Sequence, residues 1–285
     1  MKKNMIVICI LLCLCLASAA VFAGCGDTQN ASQDGAGEVT VEEQTIFDDQ
    51  GIKAVVKGYG KFEDELLSYD RELLIDVTNN LDQDISFGLR QCSVNGYMVE
   101  SYYSYTIETG KTETYPVIFD ASELESLGIT TIADYEFCIV AEDNDTYETL
   151  VESDPIIIKT SAYDGFEYKF DESGSVVYDT DGVKIIAKDQ TEDEFFGPCV
   201  SIYVANDTDK NIMVSAASCS VNGKEVQEYA FGSEPAAGKH SIDLLSFGED
   251  ERPEKIESLT LSFAIYDFDT GDPIVEKTEP ATVEF

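Results

Sequence analysis

An internal repeat is the feature that most constrains how this chain can fold. The pentapeptide Cys92-Ser93-Val94-Asn95-Gly96 recurs as Cys219-Ser220-Val221-Asn222-Gly223, an offset of 127 residues (from 92 to 219). The same offset places one alternating apolar set on another, with Leu73, Ile75 and Val77 matching Val200, Ile202 and Val204. Two matching patterns predict two matching structures, each of about 110 residues, which is a common domain size.

Within each repeat the pattern predicts strands and tight turns. Apolar residues at every second position are typical of a strand with one buried face. Asn95-Gly96 and Asn222-Gly223 are strong hairpin signals, because both central residues of a type I′ turn need a positive φ. Further strands are predicted at 112–119, 135–141 and 259–266, and a helical turn at 122–127. About seven strands per repeat predict an all-β, immunoglobulin-like sandwich.

The N-terminal residues have the pattern of a lipoprotein signal peptide. Lys2 and Lys3 precede an apolar stretch that runs from Met5 to Val21, and Ala23-Gly24 stands directly before Cys25. This order of basic, apolar and small residues is that of a secretory signal. A Cys after Ala-Gly resembles a bacterial lipobox, which implies diacylglyceryl transfer to the Cys25 sulfur and cleavage before it. The alternative is an uncleaved anchor, since the stretch is about long enough to span a bilayer.

These signals divide the chain into five predicted segments. They are a signal peptide (1–24), a flexible acidic tether rich in small polar residues (25–44), a first sandwich (45–160), a linker (161–175) and a second sandwich (176–285). After Cys25 no apolar run is long enough to span a membrane. We therefore expect an extracytoplasmic domain pair that is attached to the membrane through lipidated Cys25.

The charge of the chain excludes one class of partner. Asp and Glu number 56 against 18 Lys and Arg, which gives a formal net charge of −38. Such an excess repels nucleic acid and anionic headgroups and favours basic partners. A hydrophobic content of 44% is too high for a disordered chain. We therefore predict a folded protein that does not bind nucleic acid.

The repeated motifs resemble those of a known group of surface proteins. Both repeats carry Asp-x-x-Gly-(Ile/Val)-Lys, then Asn-(Asn/Asp), Ser-Val-Asn-Gly and Gly-Lys, and they follow a lipobox and an acidic tether. In this the chain resembles the tandem immunoglobulin-like domains of surface lipoproteins from clostridia and related Gram-positive bacteria, whose function is largely unassigned. Unlike antibody domains, the chain has no Trp, so it lacks their Cys–Trp–Cys arrangement.

The sequence offers little for catalysis. Its one histidine, His240, follows Gly238-Lys239 in a predicted loop before a strand, where we expect it to be solvated. None of the motifs G-x-S-x-G, H-E-x-x-H and S-x-x-K occurs. We predict no enzyme activity and no cofactor. An enzyme ranks third among the possible functions, after a binding protein and a structural spacer.

An acidic turn near the C-terminus is a candidate calcium site. Asp267, Asp269 and Asp272 surround a tight turn, and 142–145 is an acidic stretch at the matching place of the first repeat. Calcium prefers such hard oxygen ligands at loop spacing. The alternative is a hairpin turn in which Asp and Gly are chosen for their backbone angles.

A tyrosine cluster follows the first Asn-Gly turn. Tyr97, Tyr102, Tyr103 and Tyr105 lie close together in sequence, and exposed tyrosine is favoured at recognition surfaces. We predict that Tyr102, Tyr103 and Tyr105 contact a protein or glycan at the cell envelope, with ordinary strand packing as the alternative. The predicted function is non-catalytic binding or adhesion at the cell surface. The alternative function is a structural spacer without a specific ligand.

Four cysteines lie beyond the predicted signal and lipidation site, and we predict that all are free thiols. Hairpin pairing puts Cys92 opposite Val99 and Cys219 opposite Val226, where each faces the core. Cys138 and Cys199 adjoin inward apolar residues, so they should point the other way, and opposed side chains cannot be bridged. A Cys199–Cys219 disulfide is the alternative if a bulge shifts the register.

Overall fold

Strands make up almost all of the regular structure. The computed structural model describes residues 38–63, 68–101 and 104–285, with backbone alone at 68–70. Up to residue 160 it contains a short helix, α1 (Ala121–Ser126), and the strands β1 (Gln44–Asp49), β2 (Ile52–Glu63), β3 (Ser68–Asn79), β4 (Ile85–Val94), β5 (Tyr97–Met98), β6 (Ser104–Ile107), β7 (Thr112–Val117), β8 (Asp134–Asp143), β9 (Thr149–Glu152) and β10 (Ile156–Lys159).

The second repeat is also built from strands. They are β11 (Ser175–Thr180), β12 (Val183–Asp193), β13 (Gly197–Asn206), β14 (Ile212–Val221), β15 (Lys224–Val226), β16 (Tyr229–Ala230), β17 (Gly232–Ser233), β18 (His240–Phe247), β19 (Ser258–Asp267), β20 (Pro273–Val275) and β21 (Ala281–Glu284). The prediction of an all-β chain is confirmed, and so is that of a helical turn near 122–127.

Through the part of the chain that is described, the strands form three sheets, and one of them runs through both repeats. The first sheet has the order β1-β2-β3-β7, and the third has β15-β14-β19-β20 with β17 and β21 at its side. The shared sheet has the order β10-β8-β4-β5-β18-β13-β12-β11, with β6, β9 and β16 at its side. Each repeat thus has one sheet of its own and contributes strands to the shared sheet.

Two apolar clusters, one in each repeat, fill the space between the sheets. The sequence places ten side chains inward, and each of them is at most 1% exposed: Leu73, Ile75, Val77, Phe137, Ile139, Val200, Ile202, Val204, Phe263 and Ile265. This prediction is confirmed, because the inner faces of two sheets pack on each other while alternate residues point outward.

The two Asn-Gly turns are confirmed as hairpins with left-handed backbone. The φ angles are 50° and 80° at Asn95 and Gly96, and 52° and 76° at Asn222 and Gly223. The Asn95 side-chain oxygen accepts the amides of Ala133 (2.7 Å) and Asp134 (3.3 Å). Asn222 accepts those of Glu257 (2.8 Å) and Ser258 (3.0 Å) in the same way. The asparagine therefore sets the turn and also ties it to the neighbouring strand.

The two repeats meet at the Asn95-Gly96 turn. Tyr97 of β5 pairs in parallel with His240 of β18, and the His240 amide donates to the Gly96 carbonyl at 3.0 Å. A third apolar cluster lies at this contact and includes Tyr97, Ile186, Tyr203 and Ala205. We call this contact the junction; residues 39–285 form one compact unit that contains it.

Several predictions concern residues outside those described. The signal peptide, Cys25, most of the tether, Tyr102 and Tyr103 all belong to this group. Among the residues that are described, no helix has the length and apolar character needed to cross a bilayer.

Candidate functional site

We call the predicted contact residues Tyr102, Tyr103 and Tyr105 the tyrosine face. Of these three, the structure describes Tyr105. It is half-buried and packs against the first apolar cluster, while Tyr97 is 4% exposed and belongs to the junction. A shallow cleft of about 170 Å³ lies beside β6, lined among others by Arg90, Ser104 and Glu142. Arg90 pairs with Glu142 at 2.5 Å. The role of Tyr102, Tyr103 and Tyr105 in binding stays a prediction.

His240 lies in the junction, so the expectation of a solvated surface histidine is wrong. Its residue is 7% exposed, and its Nδ1 lies 2.6 Å from the Tyr203 hydroxyl. Its ring stacks on Phe170 with centroids 3.6 Å apart. Burial lowers the pKa of His240, although Asp207 and Glu172 act in the opposite direction. The imidazole therefore packs against aromatic rings from the linker and from β13.

The predicted linker takes part in the junction. The Asp171 amide donates to the Tyr97 hydroxyl at 3.2 Å. Lys188, whose side chain is 9% exposed, pairs with the Asp171 carboxylate at 2.8 Å and donates to its carbonyl at 2.8 Å. A second ion pair joins Lys239 to Glu136 at 2.5 Å across the repeats, with both side chains mostly buried. These contacts join the two repeats, directly through Lys239 and Glu136 and by way of the linker through Asp171.

Three carboxylates from the two repeats lie near each other beside the junction. Glu100 and Glu123 belong to the first repeat, where the Glu100 amide donates to Glu123 at 3.4 Å, and Asp243 belongs to β18. Partial burial raises the pKa of each, and charge repulsion from Asp243 raises the pKa of Glu100 and Glu123 further. Protonation of these groups as the pH falls would therefore stabilise the folded state.

The acidic turn at 267–272 is held by its own contacts. One Asp267 oxygen accepts the amides of Asp269 and Thr270, each at 3.1 Å, and the other pairs with Lys210 at 2.7 Å. In the described part of the chain, no group of three His, Cys, Asp or Glu residues is arranged to hold a metal ion. Calcium at Asp267, Asp269 and Asp272 stays a prediction, and the contacts favour the alternative of a capped turn.

The cysteine predictions agree with the structure. Cys92, Cys138, Cys199 and Cys219 are free and buried. Cys219 lies opposite Val226, and the Val99 amide donates to the Cys92 carbonyl at 3.0 Å. Cys92 and Cys219 belong to the apolar clusters of the two repeats, while Cys138 and Cys199 lie outside these clusters. Burial raises the pKa of Cys92 and of Cys219 to about 12, so neither is a reactive thiolate.

A pair of exposed phenylalanines was missed by reasoning from the sequence. Phe195 and Phe196 lie in the loop between β12 and β13 and are 55% and 50% exposed. A signal for them exists, because Glu192-Asp193-Glu194-Phe195-Phe196 has a counterpart in the first repeat, Glu63-Asp64-Glu65-Leu66-Leu67. Residues 64–67 are outside those described, so the comparison is one of sequence alone.

No protein-family model matches the chain, and no curated protein sequence is significantly similar to it. A role for this chain therefore has to be inferred from the geometry of its described residues.

Proposed function

We propose that this chain is a lipid-anchored extracytoplasmic protein whose two immunoglobulin-like sandwiches bind a partner at the cell surface without catalysis. Cys25 carries the lipid in this proposal, and residues 25–44 are the tether. The division into two sandwiches is supported by the two separate apolar clusters, each between two layers of strands.

The observation that carries the binding role is the rigid frame with exposed aromatic side chains at its turns. The junction is held by the His240–Phe170 stack and by two ion pairs. Large aromatic residues that remain exposed include Phe195 at 55% and Phe196 at 50%, in the turn between β12 and β13. Aromatic residues on a rigid support lose little conformational freedom on binding and are enriched at interfaces.

A structural spacer is the second candidate function. The continuous sheet and the held junction favour it, because a spacer must keep its shape under load. A specific partner distinguishes the two candidates, since a spacer needs none.

Anchoring and binding are tested separately. Cys25→Ala should release the protein from the membrane or leave it misprocessed, and in both cases the lipid mass should be absent. Unchanged partition and mass in this variant would contradict lipid anchoring.

For binding, the intact ectodomain is screened against envelope fractions together with Tyr105→Ala and the double variant Tyr102→Ala/Tyr103→Ala. Tyr147→Ala is the matched control, because it removes an equally large aromatic side chain from another turn. Selective loss in the first two variants supports the tyrosine face. Equal capture by all four proteins would remove the case for the tyrosine face, and capture by none of them would leave the spacer as the better candidate.

A further inference from the structure

Hydrogen bonds hold the backbone of the loop that carries Phe195 and Phe196. The loop spans Glu194 to Phe196 between Asp193 and Gly197. One Asp193 oxygen accepts the amides of Phe195 and Phe196, each at 2.8 Å. Gly197 has a φ of +70°, a left-handed backbone conformation that glycine adopts without a steric penalty. Arg252 donates to the Phe195 carbonyl at 3.2 Å. The loop backbone is therefore held while both rings remain exposed.

The loop lies at the end of β12 and β13 that is opposite the junction. Asp193 pairs with Gly197 at one end of β12 and β13, whereas Ala205 pairs with His240 at the other end of β13. The eight steps from Gly197 to Ala205, at a rise of about 3.3 Å each, separate the two ends by roughly 26 Å. Thr40, close to the start of the described chain, hydrogen-bonds to Ser161 near the junction end of the first repeat. The loop is thus remote from the point where the tether joins.

The chemistry of the loop is that of an aromatic anchor with an acidic border. Two adjacent phenyl rings combine a large apolar area with few rotatable bonds. Glu192, Asp193 and Glu194 precede them directly, in a chain whose net charge is −38. We propose that Phe195 and Phe196 form a docking tip that inserts into an apolar socket on a partner protein, and that basic residues surround this socket.

Charge complementarity selects a protein over a lipid surface as the occupant. Three carboxylates beside the rings repel anionic headgroups and would lose solvation on entering a membrane. A rim of Lys and Arg on a protein compensates those charges, steers association and makes it weaken with salt. A cleft of about 440 Å³ next to Arg252, whose charged lining comprises Lys224, Lys255 and the four carboxylates of Asp250, Glu251, Glu254 and Glu257, gives the partner chain further contact area.

This inference rests on the proposed binding role but not on the tyrosine face, so it is tested by a separate experiment. The probe is an amphipathic helical peptide with a Leu stripe bordered by Lys, titrated into the intact ectodomain at low and at physiological salt. A peptide with Ser in place of Leu measures the contribution of charge alone. The test variant is Phe195→Ser/Phe196→Ser. The matched control is Phe268→Ser, because Phe268 is also an exposed aromatic flanked by carboxylates.

The expected result is that the double variant binds the Leu/Lys peptide about tenfold more weakly or worse, as for the loss of an aromatic anchor. Phe268→Ser should change the affinity less than twofold, and the Ser/Lys peptide should bind all proteins alike. Glu192→Gln/Glu194→Gln should reduce the salt dependence. Circular dichroism and thermal melts that match the wild type show that the variants are folded, as exposed positions predict.

Three outcomes would overturn the proposal. The first is an equal affinity of the wild type and the Phe195/Phe196 variant for the Leu/Lys peptide, or no binding by either. The second is Phe195- and Phe196-dependent binding to phosphatidylcholine or phosphatidylglycerol vesicles, which would make the loop a lipid-inserting element. The third is Phe-dependent dimerisation in sedimentation equilibrium, which would make the occupant a second molecule of this chain. The envelope screen remains the independent test of the binding role.

Discussion

Phe170→Ala is the sharpest test of whether the two repeats act as one rigid body. Phe170 lies between the repeats, where it stacks on His240 at 3.6 Å and meets Tyr97 edge to face at 5.1 Å. The substitution keeps the backbone of the predicted linker and removes both ring contacts. If the junction holds the repeats together, its loss should separate their unfolding.

The expected loss in free energy of unfolding follows from the partial burial of Phe170 and from its two ring contacts. Full burial of a phenylalanine contributes about 1.5–3 kcal/mol, and Phe170 is half-buried, so about half of this applies. Each aromatic pair adds about 0.5–1.5 kcal/mol. With two ring pairs, the expected loss is therefore about 2–4.5 kcal/mol, which overlaps the 3–5 kcal/mol that is typical for a fully buried ring. Because much of this energy joins the repeats, the loss should appear as a weaker coupling between them.

Differential scanning calorimetry measures both effects. We expect one cooperative transition for the wild type and two resolved transitions, the first at a lower temperature, for Phe170→Ala. Phe166→Ala is the matched control, because Phe166 is a half-buried linker residue whose ring contacts Tyr168 outside the junction cluster. Phe170→Ala and Phe166→Ala melts that cannot be told apart would refute the coupling.

Three further predictions concern pH, thiols and calcium. Because burial lowers the pKa of His240, the folded state binds the histidine proton less well than the unfolded chain does. The contribution of neutral His240 to the free energy of unfolding is therefore complete above the unfolded pKa of about 6.5, and it is lost as the pH falls below that value. Between about pH 7.5 and about pH 5, the free energy of unfolding of the wild type should therefore fall relative to that of His240→Gln. Glu100, Glu123 and Asp243 act alike in both proteins. A difference in stability between the two proteins that does not change with pH would show that His240 titrates normally. The four cysteines of the described chain are free and buried, so a thiol reagent at mildly alkaline pH should label them only after unfolding. Rapid labelling of the native ectodomain would contradict their burial, and a disulfide in non-reducing mass spectrometry would contradict the free thiols. Because Asp267 already binds Lys210 and two amides, thermal melts in millimolar calcium and in chelator should coincide; a calcium-dependent rise that Asp269→Asn and Asp272→Asn abolish would establish the metal site instead.

Local patterns in the sequence determined the strands and their inner faces. The alternation of Leu73, Ile75 and Val77 predicts burial because successive strand residues point to opposite faces. The Asn95-Gly96 turn also predicts the pairing of Cys92 with Val99, and with it the side on which this cysteine lies. These properties depend on neighbours within one hairpin, and such neighbours can be read from the order of residues.

The surroundings of His240 could be decided only by the tertiary structure. Its contacts come from Phe170 in the linker, Tyr203 in β13 and the Gly96 carbonyl in the other repeat. No local pattern brings these groups together, because their proximity depends on how the sheet of one repeat continues into that of the next. Burial of His240 is therefore a property of the assembled repeats, whereas a loop followed by a strand is all that its own segment predicts.

The same division separates the two groups of aromatic residues. Tyr97 and Phe195 each stand next to a hairpin turn, and strand propensity does not distinguish them. Tyr97 is 4% exposed and Phe195 is 55% exposed, because the turn beside Tyr97 meets the second repeat and the loop that holds Phe195 lies at the other end of its strands. The sequence determined that both positions carry an aromatic ring next to a turn, and the tertiary structure decided which ring packs and which remains exposed, because exposure depends on what the rest of the chain places against a turn.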